Sequence, residues 1–309
     1  MPTNKWQASL AAAKRLALRF AGVTGVDYGY KYRAGVRSSQ PCVRFHVSRK
    51  LPLDALRSHE VLPAELGSIA CDVVQARYAP QTSPRMRFDP IRPGVSIGNV
   101  ARRSTGTLGA IVREAGSGRF CLLSNWHVFC GTSAAQPGEA ISQPGPLHLG
   151  SGPERPVASL ERWLDLRHGC DAAIAVLSAG VANDGSVFDL GINLNGVEEP
   201  RLGLALVKAG AASGVTHAMV DGIEGSFELD YSGYGDQKRW MDGFRLIPDP
   251  NNPEDEISVV GDSGAVWINP ETQCAVALHF AGEDGIGPTA EYAIAHPISR
   301  VLSLLDLTL

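Results

Sequence analysis

Apolar residues recur along the chain with two different periods, and the change from one to the other divides it. Over residues 5–20, Trp6, Leu10, Ala13, Leu16 and Phe20 fall near helical spacing while Lys14, Arg15 and Arg19 lie elsewhere on the surface, which predicts an amphipathic helix. Two extended runs follow, 26–32 and 41–50, separated by a turn-rich stretch at 34–40. In the second run Val43, Phe45 and Val47 alternate with Arg44, His46 and Ser48, so one face of that strand is expected to be buried. A short helical stretch at 53–59 and a strand at 69–78 complete a helix–strand–strand–helix–strand pattern, a small α+β domain over residues 1–80. Residues 79–95 hold four prolines and few periodic apolar positions, which predicts a Pro-rich linker at 81–95. Beyond Gly98 the pattern becomes short strands at 106–113, 120–124, 172–177, 204–208, 216–222, 227–231, 265–268, 274–279 and 291–295, with turn signals between them. That pattern reads as mainly β, a sandwich or a pair of barrels. Ile298, Val301, Leu302, Leu304 and Leu305 then return to helical spacing and predict a closing C-terminal helix.

Composition narrows the class. Gly and Pro number 34 + 20 = 54 of 309 residues, about 17%, and 44% of residues are hydrophobic. A turn-rich globular protein with a core follows, rather than disorder. The net charge is 28 − 32 = −4, with no sustained basic run, so neither nucleic acid nor an anionic membrane is an expected partner. No stretch of about 18 consecutive apolar residues exists to span a bilayer. The apolar run at 8–13 is cut by Lys14 and Arg15, too short for a secretory signal core, and the basic N-terminus is read as a packed helix rather than a transit or membrane-surface segment. Six cysteines, at 42, 71, 121, 130, 170 and 274, lack the density of a disulfide scaffold and any CxxC spacing. They are expected to be buried thiols in a reducing compartment, a cytoplasmic setting. No nucleotide-binding glycine loop, EF-hand or zinc-ligand pair appears, so no cofactor and no metal is expected; His168 and Cys170 with His127 make a poor metal set beside the assignment below.

Three patches carry chemistry. In Ser124-Asn125-Trp126-His127 a strand runs out into a histidine; in Asp171-Ala172-Ala173-Ile174-Ala175-Val176-Leu177 an aspartate opens an apolar strand; in Gly261-Asp262-Ser263-Gly264 a turn precedes another strand. Each alone is ordinary: such a histidine is more often structural, such an aspartate begins many strands, and such a turn arises by chance. Together they are the parts of acyl transfer. A serine hydroxyl needs a base as it attacks, imidazole is matched to that task, and the imidazolium needs a carboxylate on its other nitrogen. Backbone N–H groups beside the serine must hold the developing oxyanion.

The chain order His, Asp, Ser, with gaps of 171 − 127 = 44 and 263 − 171 = 92 residues, excludes the subtilisin and α/β-hydrolase orders. On these residues, and on Val207-Lys208-Ala209-Gly210 through Gly214-Val215-Thr216, the sequence from about residue 92 onward resembles the trypsin/chymotrypsin-like serine proteases, in particular bacterial and plant trypsin-like peptidases with an extra N-terminal domain. The resemblance implies a chymotrypsin-like double β-barrel, the first barrel at 96–190 carrying His127 and Asp171, the second at 191–309 carrying Ser263 and the C-terminal helix. It implies His127 as general base, Asp171 as its orienting carboxylate, Ser263 as nucleophile, and the Gly261 and Ser263 amides as oxyanion hole. Two features depart from the secreted enzymes: no evident activation peptide supplies an N-terminus for Asp262, and the cysteines do not match their disulfides. Gly22-Val23-Thr24-Gly25-Val26 and Val95-Ser96-Ile97-Gly98 resemble the region preceding such peptidases, so residues 1–80 are expected to be regulatory or prodomain-like, with a cleavable linker and a regulatory partner as corollaries.

For selectivity, His279 falls in the strand that lines the primary pocket in this fold, resembling glutamyl endopeptidases and picornavirus-type proteases; Ser258 could add a hydrogen bond, and Ile257 is expected near the pocket floor. A buried histidine donates to a carboxylate or carboxamide and does not favour Lys or Arg, so Glu or Gln before the scissile bond is the expected preference. The expected function is therefore a serine endopeptidase acting on protein or peptide substrates. The alternatives are a latent or pseudo-protease peptide-binding module restrained by the N-terminal domain, and an esterase or transferase using the same acyl-enzyme chemistry. Oligomeric state is not legible.

Overall fold

The computed structural model describes residues 5–33, 36–76, 83–150, 152–252, 256–283 and 291–309. The chain divides into two compact units, Met1–Gln81 and Thr82–Leu309.

In the first unit, helix α1 (Lys5–Ala17) is rich in alanine, the best helix former, and it ends before Gly22. It lies on a four-stranded sheet of order β1-β2-β4-β3, built from β1 (Val23–Arg33), β2 (Val36–Val47), β3 (Glu65–Leu66) and β4 (Ile69–Gln75). Strands β1 and β2 are antiparallel, whereas β2 and β4 run parallel. The core is small: Ala13, Val43, Phe45 and Cys71, with Leu16, Val23, Tyr28 and Ile69 packed against it. Val43 and Phe45 face inward as their alternation with Arg44 predicts. The helix expected at 53–59 is instead two single 3₁₀ turns, Leu53–Ala55 and Ser58–Glu60, neither burying a residue. Without an apolar face to pack, so short a segment cannot offset the cost of helix nucleation.

The second unit begins with β5 (Ser96–Asn99), β6 (Gly106–Thr107), β7 (Ala110–Glu114), β8 (Phe120–Ser124), the one-turn helix α2 (Trp126–Phe129), β9 (Ala140–Ser142), β10 (Pro156–Trp163) and β11 (Ala173–Leu177). A closed barrel follows: β12 (Ala205–Gly210), β13 (Gly214–Asp230), β14 (Lys238–Pro248), β15 (Val266–Ile268), β16 (Ala275–Gly282) and β17 (Ala293–Pro297), in the order β12-β13-β14-β17-β16-β15. Helix α3 (Ile298–Leu304) leads to β18 (Leu307–Thr308), which pairs with β7, so the chain's last strand returns to the first barrel's sheet rather than staying with the second. Between the barrels, Ala110, Leu123 and Ile174 share one apolar cluster with Val207, Val266, Leu278 and Val301. The second barrel's own core sets the bulky Phe244 and Trp267 among the small Ala277, Ala293 and Ala295.

Three sequence expectations change. Of the linker expected at 81–95, residues 81–82 lie outside the described residues and 83–95 pack onto the second unit: Ile91 and Val95 are buried, the Phe88 amide donates to Gln143 Oε1 (2.8 Å), and Ile91 bridges Asn183. Proline fixes an extended path there, and the apolar side chains between the prolines bury. The strands expected at 216–222 and 227–231 are one strand, β13, kinked by bulges around Gly222–Gly225. Its partner β14 was hidden by Asp242-Gly243, which reads as a turn. Gly243 sits there because a Cβ would meet the Ala295 carbonyl oxygen at 2.7 Å.

Candidate active site

Strand β8 ends at Ser124, and Asn125 turns the chain into α2, its side-chain amide donating to the Asp171 carbonyl (2.8 Å). That places His127 beside Asp171. The His127 amide donates to Asp171 Oδ1 (3.2 Å), and Nδ1 lies 2.7 Å from Asp171 Oδ2. A carboxylate only accepts when ionised, so Nδ1 carries the proton of that hydrogen bond. Asp171 is fully buried. Burial alone would raise its pKa, but His127 and the Tyr231 hydroxyl (2.7 Å from Oδ2) hold it below the usual carboxylate range. From behind, the Asp171 amide donates to His296 Nε2 (3.0 Å), while His296 Nδ1 donates to the Asp242 carbonyl (2.6 Å). Burial pushes His296 down to about 4, so it serves as a neutral acceptor.

Ser263 follows a turn from Val259 to Asp262, closed by the Asp262 amide on the Val259 carbonyl (3.0 Å). Gly261, at φ +109, occupies a conformation that side chains rarely adopt. Gly264, at φ +95, touches the first barrel so closely that a Cβ would lie 2.2 Å from Ser124 Oγ and 2.3 Å from the Thr107 carbonyl. Thr107 ties the turn down, its amide on the Ser263 carbonyl (2.8 Å) and its hydroxyl on the Gly261 carbonyl (2.8 Å). Among the described residues, no acceptor takes the Gly261 or Ser263 amide, and both remain available to a ligand.

Asp262 points away from the cleft into a buried ion pair. Lys208 Nζ lies 3.0 Å from Oδ2, both side chains are fully buried, and the Ala212, Ser213 and Val259 amides donate to the same carboxylate. Burial would raise Asp262, yet Lys208 outweighs it and lowers the carboxyl to about 2. The cation that faces Asp262 is thus supplied from within the chain, by Lys208. A signal was present, since Lys208 interrupts an apolar strand, and a buried cation needs a buried anion.

His127, Tyr231, Tyr234, Ser258, Ser263 and His279 all line one cavity of about 1010 Å³. Among the described residues no hydrogen bond joins Ser263 Oγ to His127; such contacts are often long before substrate binds and tighten afterwards. His279 is buried, held near 3 by burial and then by Lys208, and therefore neutral; among the described residues its Nδ1 has no hydrogen-bond partner. Ser258 donates its amide to Glu291 Oε1 (3.2 Å). Ile257, expected near the pocket floor, is instead inside the second barrel's core, because its amide and carbonyl are taken by Glu291 and Thr216. Tyr231, Lys208 and His296 are the site residues that sequence reasoning missed. A groove of about 920 Å³ in the first unit is bordered by Arg19, Arg49 and Arg57; among the described residues no hydrogen bond pairs its Cys71 with a base.

Such an arrangement can transfer acyl groups: an imidazole held by a buried carboxylate, a serine in the same cavity, and two unengaged amides beside it.

Solved structures resemble about seven-tenths of the chain. A glutamic-acid-specific serine protease, described as using a novel histidine triad in substrate binding, is 19% identical, with 71% of this chain and all of that chain covered at a TM-score of 0.51. A Nocardiopsis protease is 14% identical (72% and 98% covered, TM-score 0.51), and Thermobifida fusca protease A is 16% identical (71% and 97% covered, TM-score 0.50). No family model and no curated protein matches. At these identities the likeness establishes the fold: a chymotrypsin-like double β-barrel, here preceded by a small α+β unit.

Proposed function

We propose that this protein is a serine endopeptidase. One observation carries the reading: the His127–Asp171 pair and Ser263 line the same cavity, beside two unengaged amides. Ser263 Oγ attacks the scissile carbonyl while His127 Nε2 takes its proton, and the Gly261 and Ser263 amides hold the oxyanion. The imidazolium returns that proton to the leaving amine, giving the acyl-enzyme. Water, deprotonated by His127, then releases the acid and restores the serine. The Lys208–Asp262 pair supports a turn that needs no new N-terminus.

His279 and Ser258 form the proposed selectivity pair, reading Glu or Gln before the scissile bond. A neutral imidazole can donate one N–H to either. The Trp267 ring packs edge-on against His279 at 6.2 Å. The six free cysteines support action in a reducing, cytoplasmic compartment, and the α+β unit is proposed as the regulatory module, with a partner protein as its ligand.

Full-length protein is expected to take one fluorophosphonate label at Ser263, lost in Ser263→Ala; an unlabelled wild type would overturn the reading. A peptide library, with His279→Ala as control, tests Glu or Gln selectivity.

A further inference from the structure

Asp171 offers two oxygens, and its donors come from two barrels. Oδ1 accepts from the His127 amide, and Oδ2 accepts from His127 Nδ1 and from the Tyr231 hydroxyl, each at 2.7 Å. On strand β16 the Phe280 ring stacks on His296 at 3.8 Å. Among the described residues Tyr231 is the one hydroxyl that reaches this carboxylate. It is buried, and burial followed by the Asp171 charge pushes its phenol far up, so it stays a donor.

Tyr231 belongs to the second barrel, just past the end of β13, at the tip of the long β13–β14 hairpin. That tip is tied to the loop after α2. The Ser133 amide donates to the Tyr234 carbonyl (3.0 Å) and the Ser133 hydroxyl to the Gly235 carbonyl (2.8 Å). The Tyr231 ring meets Trp126 edge-on at 6.1 Å, and Tyr234 lies 5.6 Å from the His127 ring.

We infer that Tyr231 is a positioning residue for the His127–Asp171 pair, delivered by the hairpin, so that docking of the hairpin tip on Ser133 governs alignment of a base and carboxylate that both come from the first barrel. The rate consequence rests on the protease reading; the hydrogen bond does not. A carboxylate held by its neighbours on one side only can rotate away from Nδ1. A donor from the opposite barrel removes that freedom, and hydrogen bonds to charged groups are strong enough for one hydroxyl to matter.

Tyr231→Phe removes only the hydroxyl and is expected to lower kcat about tenfold, with KM within about twofold, the size of one charge-assisted hydrogen bond. Ser133→Ala loosens the docking and should lower kcat by about threefold in wild type but add nothing in Tyr231→Phe, because both act through one contact. The second readout is the downfield NMR resonance of the His127 Nδ1 proton, recorded on the full chain carrying Ser263→Ala: its exchange with water should quicken in Tyr231→Phe. That measurement needs no turnover, so a wild type that fails to label sinks the protease reading while leaving this one testable. Unchanged proton exchange together with unchanged kcat, or additive effects of the two substitutions, would overturn the inference. If Tyr231→Phe does not fold, the Ser133→Ala kcat and proton exchange carry the test, and wild-type values for both count against it.

Discussion

Each barrel buries a carboxylate completely, and they hold it in opposite ways. In the second barrel Asp262 has a permanent counterion, Lys208, and three backbone amides. Its charge is cancelled before any ligand arrives, and the pair serves to lock the Val259–Asp262 turn that presents Ser263. In the first barrel Asp171 meets no lysine or arginine among the described residues; its carboxylate accepts from an amide, a hydroxyl and the His127 imidazole. Under the proposed mechanism that carboxylate stabilises the imidazolium formed when His127 takes the serine proton. A buried charge that is already paired contributes rigidity; one held by dipoles can still respond, which is the condition for electrostatic preorganisation.

Asp171→Asn is the largest expected break in this comparison. It keeps the shape but favours the wrong tautomer of His127, and kcat/KM should fall about 10⁴-fold with little change in unfolding midpoint. Next is Lys208→Met, which strands Asp262 as an uncompensated buried charge; urea unfolding should show a loss of about 3–5 kcal/mol. Adding Asp262→Leu to Lys208→Met should recover much of that stability without recovering fluorophosphonate labelling, since an apolar pair can pack but cannot hold the turn amides.

Acid sharpens the contrast further. His279 and His296 are neutral when folded, with values of about 3 and about 4 against an ordinary 6.5. Below about pH 6.5 the unfolded chain therefore binds protons that the folded chain refuses, and stability falls as pH drops, until about 4 for His296 and about 3 for His279. The expected slope is about 1.4 kcal/mol per pH unit for each ring, read from urea midpoints between pH 7.5 and 5. His296→Asn should roughly halve it. The smallest effect belongs to the first unit, where Asp27, partly exposed, pairs with Arg44. There Asp27→Asn should change thermal stability by less than about 1 kcal/mol.

Local patterning made much of this visible in the residues themselves. Alternation at Val43, Phe45 and Val47, the apolar run after Asp171 and the turn around Ser263 are all short-range statements, and the elements they predict are present. What escaped detection had a physical reason. Asp242-Gly243 imitates a turn because a strand interior there needs a glycine against a neighbouring carbonyl, and the prolines of 83–95 imitate a linker while the side chains between them bury. Ile257 looked like a pocket residue because register cannot be counted across a turn.

By itself the sequence determined which chemistry is available, a serine in a glycine turn, a histidine, an aspartate and one lysine in an apolar strand, because residue type and local spacing are written in it. Only the tertiary structure decided which groups meet. Lys208 and Asp262 are 54 residues apart and Asp171 and Tyr231 are 60 apart. Contacts at such separations exist only once both barrels close and exclude water, and that burial is also what keeps His279 and His296 neutral.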